Sequence, residues 1–102
     1  MSKYKSTATE VDGIRFDSKK EAARYADLKL LVQAGEVRNL IIKPKYPLKV
    51  NGQLICTYIP DFEYLAKSGD RVVEDVKGFR TREYAIKAKL MLACHGIQVK
   101  ET

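Results

Sequence analysis

The chain has 102 residues, 45% of them hydrophobic and 31% charged, with a net charge of +6. That is one domain with one modest core, and the basic excess points to an anionic partner, nucleic acid first and an anionic membrane surface second. Two cysteines at distant positions and a single histidine exclude a zinc site, which needs about four such ligands, and no apolar run approaches the roughly 18 residues of a membrane span.

No apolar segment follows Met1-Ser2-Lys3-Tyr4-Lys5, so the start is not a signal peptide. The expectation is a reducing, cytoplasmic setting in which Cys56 and Cys94 do not pair. Residues 1–10 read as a mobile basic N-terminus of a single domain spanning 1–102. Asp12-Gly13, between the alternating apolar residues of Glu10–Phe16, is a hairpin signal. Ser18-Lys19-Lys20-Glu21 has the form of a capping box, so a helix is predicted from about residue 19 to 34, with Gly35 as its C′ residue. Tyr25, Leu28 and Val32 share one stripe of that helix, and Glu21 lies on the stripe one turn earlier. Its carboxylate either folds back to cap the helix or points where the core stripe points, and the residues alone leave both open.

Val37–Ile42 is a short apolar run closed by Pro44 and Pro47. Tyr46–Val50 and Gln53–Leu65 flank Asn51-Gly52, which predicts an antiparallel hairpin with a long second strand. Pro60 removes a ladder donor, so that part belongs at an edge or a bulge. A strand over Arg71–Lys77 follows the turn at Ser68-Gly69. Gly78-Phe79-Arg80 connects it to a helix with Thr81 as N-cap, running to Cys94 or His95 and stopping at Gly96. Ala85, Ala88 and Leu92 form its predicted apolar row. Ile97–Val99 reads as a last strand, parallel to Arg71–Lys77 because a crossover helix precedes it.

The chemistry concentrates between Pro60 and Lys77. In a strand, side chains alternate, so Asp75 and Lys77 share a face with Val73, while Val72, Glu74 and Val76 take the other. Two acids on neighbouring strands, Asp61 and Asp75, with Lys77 beside one of them, can hold a divalent cation against a phosphate. The same residues also read as a solvated face with an ordinary Asp–Lys pair. Glu74, between two valines, reads as a carboxylate paired with a cation for structural reasons. Lys19, Lys20, Arg80, Arg82 and Lys87 are candidate phosphate-backbone contacts as a cluster, although each alone reads as a surface charge. His95, at a helix end, reads as a partner of the last carbonyls.

Pro60-Asp61 followed by Asp75-Val76-Lys77 resembles the signature of the PD-(D/E)xK nuclease superfamily. The segments Gly13-Ile14-Arg15-Phe16-Asp17-Ser18-Lys19-Lys20-Glu21-Ala22 and Val73-Glu74-Asp75-Val76-Lys77-Gly78 are similar to its small phage and prophage members, described as resolvase-like endonucleases. The likeness runs from about Val11 to Val99. It implies an α/β, restriction-endonuclease-like core of helix, three strands, helix and strand around a central mixed sheet. It implies that Glu21, Asp61 and Asp75 hold magnesium, with manganese as a substitute, and that Lys77 is the catalytic lysine. The activity implied is metal-dependent hydrolysis of DNA phosphodiesters, in branched substrates such as Holliday junctions, by a homodimer in the host cytoplasm. Nicking, end processing, a packaging role or a non-catalytic DNA-binding subunit of the same fold are the alternatives. The chain is close to a minimal core without an obvious recognition domain, which favours selection by DNA structure over selection by sequence.

Overall fold

The computed structural model describes residues 8–77 and 79–102. Most of the expected basic N-terminus and the Gly78 link therefore lie outside the described residues. The expectation of a mobile segment through residue 10 is corrected at its end, because Thr9–Val11 forms β1 and pairs antiparallel with β2, Ile14–Phe16. Asp12 and Gly13 both adopt positive φ, 54° and 76°, as a two-residue hairpin turn requires.

Helix α1 spans Lys19–Gln33. The Ser18 hydroxyl accepts from the Glu21 amide at 3.1 Å, satisfying one of the free donors of the first turn. Gly35, at φ 76°, lies just past the end of the helix, where a side chain would be strained. Glu21, Ala22, Tyr25 and Leu28 are its buried residues. Val32, placed on that stripe by periodicity, is 39% exposed, and Leu31 packs against the core in its place.

The remaining strands are β3, Val37–Ile42; β4, Tyr46–Val50; β5, Gln53–Tyr58; β6, Phe62–Ala66; β7, Arg71–Asp75; and β8, Lys100–Glu101. Helix α2, Arg82–His95, precedes β8, with Thr81 as N-cap and Gly96 left-handed at its end. The central sheet has the order β3-β6-β7-β8, with antiparallel pairs except for the parallel β7–β8 pair. The fold is thus mixed α/β with a central mixed sheet and two helices. Its own elements follow in the order α1, β3, β6, β7, α2, β8, with β4 and β5 inserted as a separate two-stranded sheet.

Three expectations are corrected here. The long strand Gln53–Leu65 is two strands in two sheets, broken at Ile59-Pro60-Asp61, where proline cannot donate to a ladder. The last strand is Lys100–Glu101 rather than Ile97–Val99, although it is parallel to β7; Val99 instead enters the core. On α2 the buried residues are Tyr84 and Met91, with Ala88 partly buried between them, while Leu92 is 50% exposed.

Two apolar clusters lie on the two faces of the sheet. On one, Phe16, Ala22, Tyr25 and Leu28 pack with Val37, Phe62 and Tyr64. On the other, Val73 meets Tyr84 and Met91 of α2, Leu48 and Tyr58 of the inserted hairpin, and Val99. His95 bonds the Pro47 carbonyl at 2.8 Å, rather than the end of its own helix, and so ties α2 to the hairpin. Both cysteines are free. Among the described residues, no helix is long and apolar enough to cross a membrane.

Candidate functional site

Strand pairing assembles the site. Phe62 stands opposite Glu74, so one step further along the ladder brings Asp61 opposite Asp75. The ladder ends there because Pro60 precedes Asp61. Both carboxyls therefore sit at the open end of the central sheet. The N-terminus of α1 arrives at the same end, where the Lys20 ammonium donates to the Lys77 carbonyl at 2.9 Å. Glu21, in the first turn, is thereby carried to the acids from 40 residues away in sequence, and all of these groups line one cleft of about 790 Å³.

Each acid is held by one oxygen. The Val76 amide donates to Asp61 Oδ2 at 2.7 Å. The Tyr58 hydroxyl donates to Asp75 Oδ2, and Lys77 Nζ lies 3.2 Å from the same oxygen. The Ser18 hydroxyl reaches Glu21 Oε2 at 3.4 Å. The two readings of Glu21 therefore coexist: the residue caps its helix, and its buried carboxyl also meets Asp61. Burial pushes the Asp61 carboxyl up to about 9, helped by hydrogen bonding toward Glu21 and Asp75 and opposed by the Val76 amide.

Among the described residues, no three acidic, histidine or cysteine side chains form a preassembled metal cage. The acids instead face one another, with hydrogen bonding between Asp61 and both Glu21 and Asp75. Their chemistry suits a small hard ion. All the donors are carboxylate oxygens, and the cleft lining has five acids, Asp17, Glu21, Asp61, Asp75 and Glu83, against three lysines. A polyanion meets net repulsion there until positive charge is added.

The structure brings the basic candidates together only in part. Lys20 and Lys87 line the cleft with Lys77, Lys87 also pairing with Glu83 at 3.1 Å. Arg80 lies 3.8 Å from Glu101, outside the lining, and Lys19 and Arg82 are exposed and do not line it. Glu74 is separate from the site. Its side chain is fully buried on the opposite face, where Arg24 grips it through two bonds of 2.8 and 2.7 Å and Tyr64 donates to it. Burial alone would raise this carboxyl; the Arg24 fork and the tyrosine outweigh it and hold it below the usual range.

The chain matches, over residues 1–102, the family described as "Protein of unknown function (DUF1064)". It belongs to that family. No curated protein matches it.

Two site residues of this DUF1064 chain carried no signal in the sequence. Tyr58 ends β5 beside an unremarkable Thr57, and only its bond to Asp75 reveals its place. Tyr84 lies in the first turn of α2, and its ring centroid is 4.1 Å from Lys77 Nζ. Burial pushes its hydroxyl up to about 12, with Glu101 and Asp75 adding to the effect.

Proposed function

We propose that this chain is a magnesium-dependent endodeoxyribonuclease with a restriction-endonuclease-like core, hydrolysing phosphodiesters in branched DNA. The observation that carries the reading is the convergence of Glu21, Asp61 and Asp75 beside Lys77 at one end of the mixed sheet. The three acids would hold the ion, with manganese as a substitute. When bound, it supplies Lewis-acid polarisation of a phosphoryl oxygen and lowers the pKa of a water. Lys77, held between Asp75 and the Tyr84 ring, is placed to orient that water or to neutralise charge on the phosphorus. Lys20 and Lys87, on the cleft walls, would engage backbone phosphates without reading bases. A homodimer would present two such clefts to two strands.

A locally acidic cleft in a chain of net charge +6 argues against a plain DNA-binding surface, which would place its positive charge where the phosphates lie. The deciding experiment incubates the protein with linear duplex, flap and four-way-junction DNA, with and without magnesium, beside Asp75→Ala and Lys77→Ala. Magnesium-dependent cutting of the junction above the duplex, lost in both variants, is the expected result. Equal cutting of all substrates would remove the branched-DNA claim in favour of nicking or end processing. Binding without cutting would leave a non-catalytic subunit, and cutting that survives Asp75→Ala would place the site elsewhere.

A further inference from the structure

The three acids are not held alike. Ser18 caps its own helix and reaches Glu21 as a by-product, and Asp61 is held by a backbone amide. Asp75 is held by a side chain from another sheet: Tyr58, the last residue of β5, 17 residues away and 4% exposed. Tyr58 and Lys77 both approach Oδ2 of Asp75, and the Val76 amide donates to Oδ2 of Asp61.

We propose that Tyr58 is a positioning residue of the cation site, holding Oδ2 of Asp75 so that Oδ1 is left to ligate the ion. The inference rests on the cation-site half of the proposed function and not on the DNA chemistry. Lys77 shares Oδ2 at 3.2 Å, but it is a flexible chain, partly exposed, whose charge the phosphate would compete for. Once Lys77 turns to a substrate, Tyr58 is the remaining donor on that oxygen. Tyr58 is buried at the end of a strand, and its phenol is an O–H donor at neutral pH. A hydrogen bond to the oxygen that does not ligate fixes a carboxylate's rotamer and decides which lone pairs face the metal. It also gives the inserted β4–β5 hairpin a task, that of delivering one hydroxyl to the end of β7.

The test reads metal binding without nucleic acid. Mn²⁺ affinity is measured by titration calorimetry for wild type, Tyr58→Phe and Tyr46→Phe, each shown to be folded by circular dichroism. Tyr46 is the control because its hydroxyl also donates to a carboxylate, Glu63, from the same hairpin but away from the cleft. Tyr58→Phe should weaken Mn²⁺ binding by about 10-fold or more, and Tyr46→Phe by less than about 2-fold. A readout that needs no Tyr58 variant is the near-UV tyrosine absorbance, which saturating Mn²⁺ should perturb in wild type and equally in Tyr46→Phe. Equal affinity in wild type and Tyr58→Phe, equal weakening by Tyr46→Phe, no tyrosine perturbation, or no Mn²⁺ binding by wild type would each overturn the inference. If Tyr58-dependent binding is found and no DNA is cut under any condition, the nuclease reading falls and the role of Tyr58 stands.

Discussion

Under the proposed function, Asp61 is where activity and stability would oppose one another. Its carboxyl is raised in the folded chain, so folding favours the protonated form. The stability contributed by that preference is complete below the unfolded value, near 3.8, and is lost as pH rises toward about 9. Asp61→Asn keeps the shape and removes the charge. It should therefore be more stable than wild type at pH 8 by on the order of 2 kcal/mol, with the difference closing below pH 4 in urea denaturation. The same variant should lose metal-dependent cleavage. Wild type at pH 8 should recover the difference on addition of magnesium, which stabilises whatever it binds. Glu74 behaves in the opposite sense. Its folded carboxyl is lowered, so its contribution is present above the unfolded value and is lost as pH falls through the lowered one. Arg24→Met leaves that buried carboxylate without its partner and should cost about 3 kcal/mol in urea denaturation, most of it restored by adding Glu74→Gln.

Elements with local punctuation were legible in the sequence. Ser18 and Thr81 cap their helices, Gly35 and Gly96 follow their ends, and Asp12-Gly13 and Asn51-Gly52 turn their hairpins, because each signal is satisfied within four residues of itself. Asp75 was legible from strand parity and Glu21 from one helix turn. Asp61 and Lys77 lie just outside β6 and β7 and were legible only from their closeness to those strands. Illegible features depended on distant chain. Nothing near Gln53 says that β5 pairs only with β4, and nothing near Tyr58 says that Asp75 waits 17 residues on. The same holds for Tyr84 and Met91, which join Ala88 of the predicted row in the core while Leu92 is left exposed. Gly52 tests how far the hairpin matters. It has open space around it but a φ of 79°, so Gly52→Val should cost about 1–2 kcal/mol from backbone strain alone, seen as a lowered denaturation midpoint.

At the scale of the molecule, the charge is divided. The chain is basic by six charges, yet the cleft at the end of its sheet is lined by more acids than lysines. Under the proposed function, long-range attraction of DNA and its local seating would therefore be separate steps. Binding to junction DNA should weaken steadily with salt, and Lys20→Ala or Lys87→Ala should each lower the slope of log affinity against log salt by about 1. Replacing EDTA with calcium, which should fill the site without supporting rapid cutting, should tighten binding in wild type and not in Asp75→Asn. A fluorescence anisotropy series across salt with the two additives reads both effects. An affinity indifferent to calcium would mean that DNA does not enter the acidic cleft.

The interruption at Ile59-Pro60-Asp61 also has a kinetic meaning. Strand β3 pairs with β6, but the whole β4–β5 hairpin lies between them in the chain. Closing that connection as a flexible loop is slow, whereas a preformed hairpin brings Tyr46 and Tyr58 face to face and leaves only short links to order. The hairpin is therefore expected to form early, from neighbours in sequence, and to span the gap for the strands that follow. Substitutions in its Asn51-Gly52 turn should lower the refolding rate more than they raise the unfolding rate. Those in β8, which pairs with β7 only after α2 has crossed, should do the reverse in stopped-flow experiments.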